Sequence, residues 1–435
     1  MKFIGLRLDD HDSNITYTDG TKVKYTNCER NIQDKHYGLK DLNTWIQIIR
    51  KWGINPSEVD AIAISMDRFS HYFLDYSEDC LFNEIKLKIF NLLGFECPIY
   101  RVDHHYCHAL SVWPLGIKPT VSVVSDGFGD DRVNFSVFRD DKIIVRYREQ
   151  EERNGIIPYQ SLAMILSDVG ESIDMQGNPL DHAGKIMGMK AYGTTHEIRK
   201  LRYDLKNLQT AWKQFPWNSV SIKTDKHFPT ICDWVSKGHT ISEKVYVNAF
   251  LEYTNEDDVI GYTGGVAQNT VINSEIIKVR PNLNVAPHCS DCGLSLGAVE
   301  FLRKYYDQEE FDNTGYPFWE DDEAPSTMPS KSTIKETAER LARGEIVGWY
   351  QGHGEVGPRA LGNRSILMNP SIPDGKKIIN ERVKNREYFR PFGASVLEDK
   401  AHKYFDFPHT SPYMLYVMDM IDMELYPPVT HIDGT

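Results

Sequence analysis

One chain plan occurs twice in this sequence. Residues 3–27 begin with the apolar run FIGLR and pass through an acidic, turn-rich loop, LDDHDSN. Two further strand-like segments then follow, joined by an Asp-Gly turn. Residues 121–146 repeat the order: VSVVS, the loop SDGFGDD, then two more strand-like segments around an Asp-Asp turn. Alternating apolar and polar positions between such turns predict a strand–loop–strand–turn–strand unit in both places. Between the units lie Leu42, Trp45, Ile48, Ile49 and Trp52 at helical spacing, an Asn-Pro-Ser-Glu turn, and the buried-strand run DAIAIS. The expected class is therefore α/β, with an internal duplication.

In this arrangement the chain resembles the duplicated actin-like, sugar-kinase-like ATPase fold, in which two hairpins present phosphate-binding loops to a cleft between two halves. VIGYTGGVAQNTVINSEII fits such a cleft. A strand-like run ends at Gly264-Gly265 and a helix-like stretch begins near Val266 to Asn269. Paired glycines let the backbone approach a ligand, and a helix start offers free N–H groups to anions. Residues 307–330 are acidic and punctuated by proline and glycine, and read as a linker. A helix then restarts, with Thr333 and Glu336 as a capping box, Ile334, Ala338, Leu341 and Ala342 as its apolar stripe, and Gly344 as its stop. The expected organisation is a first domain over 1–306, the linker over 307–330, and a second domain over 331–435.

The chemistry is concentrated in three stretches. In RVDHHYCHALSVW, His104 and His108 are four apart, so a helix presents both from one face with Cβ atoms about 5–6 Å apart. Asp291, in a loop before a small-residue helix, supplies a third ligand type. Two imidazoles and a carboxylate leave positions open, as catalytic divalent metals require. Cys289 and Cys292 offer a competing closed zinc site with the same histidines, and a helix without metal is the plain alternative. GWYQGHGEVGPRALGNRSILMNP combines Gly352, Gly354, Gly357 and Gly362 with Arg359 and Arg364, and VKNREYFRPFG adds Lys384, Arg386 and Arg390. In a chain of net charge −13, cations concentrated on two loops predict an anion pocket. The same net charge argues against broad nucleic-acid binding. No apolar run is long enough to span a bilayer, the amino terminus lacks a signal-peptide core, and seven scattered cysteines read as thiols. A cytoplasmic location is expected.

GWYQGHGEVGPRALGNRSIL, REYFRPFGASVL and THIDGT resemble the carboxy-terminal part of the NodU/CmcH-type O-carbamoyltransferases. DHDSN, HHYCHA, GKIMGMKAYG and GGVAQNTVIN resemble the amino-terminal part, in order. The resemblance implies a TsaD-like domain followed by a YrdC-like domain. The second makes carbamoyl-adenylate from carbamoyl phosphate and ATP with Mg, and the first transfers the carbamoyl group to the hydroxyl of a small acceptor. It implies His104, His108 and Asp291 as ligands of a divalent metal, iron foremost and zinc second, and His11 as the histidine near the acceptor. A neutral imidazole there near pH 7 would serve as general base. Asp126, Gly127, Lys185, Gly264, Gly265 and Asn269 fall on the nucleotide side. Lys384 and Arg386 match the YrdC-type Lys-x-Arg pair, while Arg359 and Arg364 hold carbamoyl phosphate or nucleotide phosphates. The family continues beyond THIDGT, so an incomplete YrdC-like domain is expected, with inefficient carbamoyl-adenylate formation by these residues alone. The family contains dimers, and a homodimer is in keeping with that. The competing functions are threonylcarbamoyl transfer to tRNA and a non-catalytic nucleotide-binding module.

Overall fold

The computed structural model describes residues 1–9, 11–38, 43–66, 80–149, 160–194, 196–198, 200–325 and 328–435. Leu42, expected on the first apolar helix, lies outside the described residues. Both repeated units form three-stranded antiparallel meanders. In the first, β1 (Phe3–Arg7), β2 (Asn14–Thr18) and β3 (Val23–Asn27) pair in sequence, and β4 (Ala61–Ser65) joins the free side of β1 in parallel. The six-stranded sheet is completed by β5 (Phe82–Ile85) and β6 (Ile99–Val102), in the order β3-β2-β1-β4-β6-β5. The second sheet repeats the scheme. The meander β7 (Val121–Ser125), β8 (Val133–Arg139) and β9 (Lys142–Arg148) is extended in parallel beyond β7 by β10 (Ile260–Thr263) and β11 (Leu283–Val285). This duplicated topology is the actin-like, sugar-kinase-like α/β architecture.

Two helices, His104–Leu110 and Leu294–Tyr305, fill the space between the sheets. The residue sizes on β1 and β4 explain how. Their outward residues Ile4, Leu6, Ile62 and Ile64 are large and pack on Trp45, Ile48, Ile49 and Trp52 of helix Asn43–Lys51. Their inward residues include Gly5, Ala61 and Ala63, which let helix Leu294–Tyr305 lie directly on the sheet. A Cβ on Gly5 would stand 2.2 Å from the Ser295 carbonyl oxygen. The far face of the second sheet is covered by helices that include Leu162–Ser172, His182–Met189, Phe228–Tyr253 and Thr270–Val279. The aromatic stretch around residues 212–234 packs there: Trp212, Phe215, Trp217 and Trp234 stack on one another, with Trp212 fully buried.

Residues 331–435 contain helix Lys331–Ala342, the hairpin β12 (Val347–Tyr350) and β13 (Arg364–Leu367), and the short pair β14 (Phe405–Asp406) and β15 (Asp419–Met420). The cap of the helix differs from the expected Thr333–Glu336 box. Ser330 is the cap, its hydroxyl accepting from the Thr333 N–H at 3.1 Å, so the helix starts earlier. Its apolar stripe is uncovered, and Ile334 is 50% exposed. The segment is anchored on helix Thr270–Val279. Asn273 Nδ2 donates to the Leu415 carbonyl at 3.0 Å and Val417 N–H to Ser274 Oγ at 2.7 Å, while Phe389 and Leu415 join the core.

The acidic stretch read as a linker carries ordered contacts. Glu320 bridges through its backbone to Tyr25 on β3 and to Gly354, and its buried carboxyl accepts from Thr26 Oγ1 at 2.5 Å and Asn27 N–H at 3.2 Å. All seven cysteines are free. No helix among the described residues is long and apolar enough to cross a membrane.

Candidate metal centre and nucleotide turn

The helix His104–Leu110 follows β6 directly, is capped by Asp103 accepting from the Tyr106 N–H at 2.9 Å, and is buried along its whole length. Asp126 follows β7, and Asp291 opens the turn before helix Leu294–Tyr305. That turn is held by Asn14 of β2, whose Nδ2 donates to the Asp291 carbonyl at 2.9 Å while its Oδ1 accepts from the Ser295 N–H at 3.0 Å. A second close contact sets the depth of the helix. A Cβ on Gly297 would stand 1.9 Å from the Cys107 carbonyl oxygen, between the two histidines.

These supports bring His104, His108, Asp126 and Asp291 together, with one ligand atom from each lying within 4.8 Å of the others. His104 Nε2 is 2.9 Å from Asp126 Oδ2 and 3.6 Å from Asp291 Oδ1, and His108 Nε2 is 3.5 Å and 3.3 Å from the same oxygens. Both ring nitrogens of the fully buried His108 lack a hydrogen-bond partner, although its Nε2 faces two carboxylates. Convergence without hydrogen-bond geometry is what a shared cation accommodates. Two nitrogen and two oxygen donors suit a first-row divalent ion. The closed alternative does not form: among the described residues, Cys289 and Cys292 belong to no group of converging ligands.

Electrostatics keep both carboxylates ionised. Burial raises Asp126, but the hydrogen bond from His104 and the charge of both histidines outweigh it and hold it well below its usual range. Burial and the charge of Asp126 raise Asp291, and His104 and Arg7 carry it below its usual value. Arg7, fully buried on β1, places Nη2 2.9 Å from Asp291 Oδ2 and Nη1 3.0 Å from Asp9 Oδ2. His11 stands at the edge of this cluster, with Nδ1 3.2 Å from Asp12 Oδ2 and 3.9 Å from Asp291 Oδ2. The expectation of a neutral imidazole is not met. Burial lowers its pKa, but the hydrogen bond to Asp12 and the charge of Asp291 lift it to about 9.

Asp126 has a second role. Its Oδ1 accepts from the Gly265 N–H at 2.7 Å, so one carboxylate joins the histidine cluster to the Gly264-Gly265 turn. Gly264, at φ +94°, presses on β7 so closely that a Cβ would stand 2.1 Å from the Ser125 carbonyl oxygen. Asn269 caps helix Thr270–Val279, its Oδ1 accepting from the Ile272 N–H at 3.1 Å. Its Nδ2 lies 3.0 Å from His239 Nε2, whose Nδ1 is 2.7 Å from Glu243. Gly127 follows Asp126, and a Cβ added there would meet Met164 Sδ at 3.7 Å, an ordinary contact. Lys185, buried on helix His182–Met189, pairs with Glu387 of the carboxy-terminal segment at 2.8 Å.

The five carboxy-terminal cations do not share one pocket. Arg364 is tied down: its guanidinium pairs with Asp322 at 2.7 Å, donates to the Gln351 and Gly352 carbonyls, and stacks on Tyr350. These contacts tie the guanidinium to its own loop and to Asp322. Arg386 donates to Asn380 and the Pro391 carbonyl and lies over Phe392. Burial and the neighbouring Arg390 push it down to about 10. Arg390 faces Glu387 at 3.7 Å, and Lys384 is exposed. Arg359 reaches away from these, its Nη2 donating to the Gln268 carbonyl at 3.1 Å. Arg7, Asn14 and the double role of Asp126 had no motif to announce them. The signal available for Arg7 was a charge inside an apolar strand.

Known proteins resemble this chain in sequence. Residues 338–435 match the family described as Carbamoyltransferase C-terminus. The nodulation protein NolNO of Sinorhizobium fredii (strain NBRC 101917 / NGR234) is 25% identical over 478 residues, covering 97% of this chain and 68% of that protein. The 3'-hydroxymethylcephem-O-carbamoyltransferase of Amycolatopsis lactamdurans is 33% identical over 281 residues, covering 60% of this chain and 53% of the enzyme. Among solved structures, T. kodakarensis HypF aligns with 70% of this chain and 48% of its own, at 10% identity and a TM-score of 0.46. The chain thus spans about two thirds of the nodulation relative and about half of the cephem enzyme. With a relative aligned along nearly its whole length and a carboxy-terminal match to the family model, the chain is similar to the NodU/CmcH-type O-carbamoyltransferases.

Proposed function

We propose that the chain carries out ATP-dependent O-carbamoyl transfer, in which a carbamoyl group from carbamoyl phosphate is activated as carbamoyl-adenylate and passed to the hydroxyl of a small acceptor. The observation that carries this reading is the Asp126 bridge between the His104–His108–Asp291 cluster and the Gly264-Gly265 turn. A cation site and a nucleotide turn that share one carboxylate suit a phosphate-bearing donor held against a cation. His104, His108, Asp126 and Asp291 would hold the divalent metal, iron in the first place, which supplies charge to steady phosphate oxygens as the leaving group departs. Gly264, Gly265, Asn269, Gly127 and Lys185 would line the nucleotide side, and Lys384, Arg386 and Arg390 the YrdC-like side where carbamoyl phosphate binds.

In the transfer step, the acceptor oxygen attacks the carbamoyl carbon, the bond from that carbon to the adenylate oxygen breaks, and AMP leaves. The hydroxyl proton passes to His11 at Nε2, the nitrogen that Asp12 does not engage. This needs a neutral imidazole. A cation held by His104, His108, Asp126 and Asp291 would offset that carboxylate's pull and lower the His11 pKa.

The test supplies labelled carbamoyl phosphate, ATP and Mg with a panel of hydroxylated sugars and nucleosides. Label is expected in an acceptor carbamate, with loss of transfer in His108→Ala. Labelled tRNA would favour threonylcarbamoyl-type chemistry instead. Undiminished transfer by the His108→Ala protein would overturn the site.

A further inference from the structure

Three loops meet beside His11. Asp12 lies between β1 and β2, Lys35 and His36 follow the short helix Cys28–Ile32, and Asp181 ends the turn that enters helix His182–Met189 on the second sheet. Asp12 and His36 both hold left-handed backbone, at φ +50° and +57°, a costly conformation for a residue with a Cβ. Neighbouring bonds keep them there. Asn14 Nδ2 donates to the Asp12 carbonyl at 2.7 Å, the Ser13 N–H to the Tyr37 carbonyl at 3.0 Å, and the His36 N–H to Glu29 Oε2 at 2.9 Å. Such strain persists where the surroundings enforce it, and here it aims two side chains at each other.

The result is a row of four side chains. His11 Nδ1 is 3.2 Å from Asp12 Oδ2, Asp12 Oδ1 is 3.0 Å from His36 Nδ1, and His36 Nε2 is 3.3 Å from Asp181 Oδ1. Lys35 also pairs with Asp181. Both nitrogens of His36 face carboxylates, so the ring donates twice, as an imidazolium. Burial lowers its pKa, but hydrogen bonds to Asp12 and Asp181 lift it to about 9. Each oxygen of Asp12 is thereby held by an imidazole. The last torsion of an aspartate is soft unless its oxygens are engaged, and the orientation of an imidazole follows the partner of its other nitrogen. Without His36, Asp12 is free to swing and the His11 ring with it.

We propose that His36 is a positioning residue for carbamoyl transfer: held between Asp12 and Asp181, it fixes the carboxylate that aims His11, and it ties that base to the half of the molecule bearing the Gly264-Gly265 turn. This rests on the reading of His11 as the base for the acceptor hydroxyl.

Nuclear magnetic resonance of protein isotope-labelled at histidine tests the positioning without substrate. Hydrogen-bonded ring N–H signals of His36 and His11 are expected, assigned by their loss in His36→Asn and His11→Ala. In His36→Ala the His11 Nδ1–H signal should vanish. His36→Asn should keep it, because the amide still donates to Asp12 and asparagine tolerates left-handed backbone. Transfer is then measured with labelled carbamoyl phosphate, ATP, Mg and the sugar or nucleoside that takes up most label. His36→Ala should lower kcat about 10–100-fold with the acceptor KM little changed, and His36→Asn should restore most of the rate. Asp181→Ala, which alters neither first-sheet loop, should show the same split on a smaller scale. An undisturbed His11 signal in His36→Ala, or native kcat in both alanine variants at positions 36 and 181, overturns the proposal. Native transfer by His11→Ala overturns the reading of His11 as base, and it is told apart because the His11 signal does not depend on transfer.

Discussion

Gly297→Ala probes the point on which the metal centre's dimensions depend. The new methyl group would stand 1.9 Å from the Cys107 carbonyl oxygen and 2.6 Å from its carbon, both backbone atoms flanked by His104 and His108. Reaching an ordinary 3.4 Å contact requires the two central helices to separate by about 1.5 Å, from 3.4 minus 1.9. Helix Leu294–Tyr305 begins three residues after Asp291, so the displacement passes to that carboxylate while the histidines stay with their own helix. Metal–ligand distances tolerate only about 0.2 Å. Divalent-metal affinity should therefore fall at least ~10–100-fold, the range seen when a site's supports are lost. Overpacking should lower stability by about 1–3 kcal/mol. Chelator competition with Co(II) or Fe(II) and urea unfolding measure the two effects. Gly184→Ala is the control: among the described residues nothing lies within 4 Å of its added Cβ, and alanine there should stabilise helix His182–Met189 by roughly 0.5–1 kcal/mol. Native metal affinity in a folded Gly297→Ala protein would refute the argument that this contact sets the ligand spacing.

Asp126→Asn keeps the side-chain shape but removes a charge shared by the cluster and the Gly265 N–H. Metal affinity by chelator competition and nucleotide affinity by calorimetry should both drop ~10-fold or more, and a loss confined to one of them would break the proposed link. Arg7→Met leaves Asp9 and Asp291 without their shared buried cation and should cost about 3–5 kcal/mol in urea unfolding of metal-free protein, with smaller loss once metal is added. Stability should also depend on pH through Glu320. Burial lifts its pKa to about 8 against the opposing hydrogen bonds of Thr26 and Asn27. The fold thus favours the protonated acid, and this contribution is complete below the unfolded pKa near 4.5. It declines by roughly 1.4 kcal/mol per pH unit as pH rises towards about 8. Glu320→Gln should flatten that slope in chemical denaturation, and an identical slope in both proteins would contradict the assignment.

The parts of the structure visible from residue order were those with a local period. The two meanders appear where alternation and turn residues put them, and β4 is the buried run DAIAIS. The convergence of His104, His108 and Asp291 was also legible, because an i, i+4 pair must share a helix face and Asp291 precedes a helix of small residues. What escaped depends on direction in space. Asp126 was assigned to the nucleotide side alone, yet its two oxygens point to different neighbours. Asn14 braces Asp291 across 277 positions of sequence, a distance no local pattern records. Arg364 and Arg359 look alike in sequence, each within a glycine-rich stretch. Only the folded loop shows that carbonyls and Asp322 occupy one while the other reaches Gln268. Residues 307–330 read as a linker from composition, which says nothing about the edge of β3 that Glu320 finds.

The contributors to the histidine–aspartate cluster also impose an order on biosynthesis. His104, His108 and Asp126 leave the ribosome close together, but Asp291 follows 165 positions later, from 291 minus 126. It takes its place only when β11 has joined the second sheet and the helix after it has packed on the first. Any metal held by this cluster would thus be captured only after Asp291 has been made and packed, not by a shorter nascent chain.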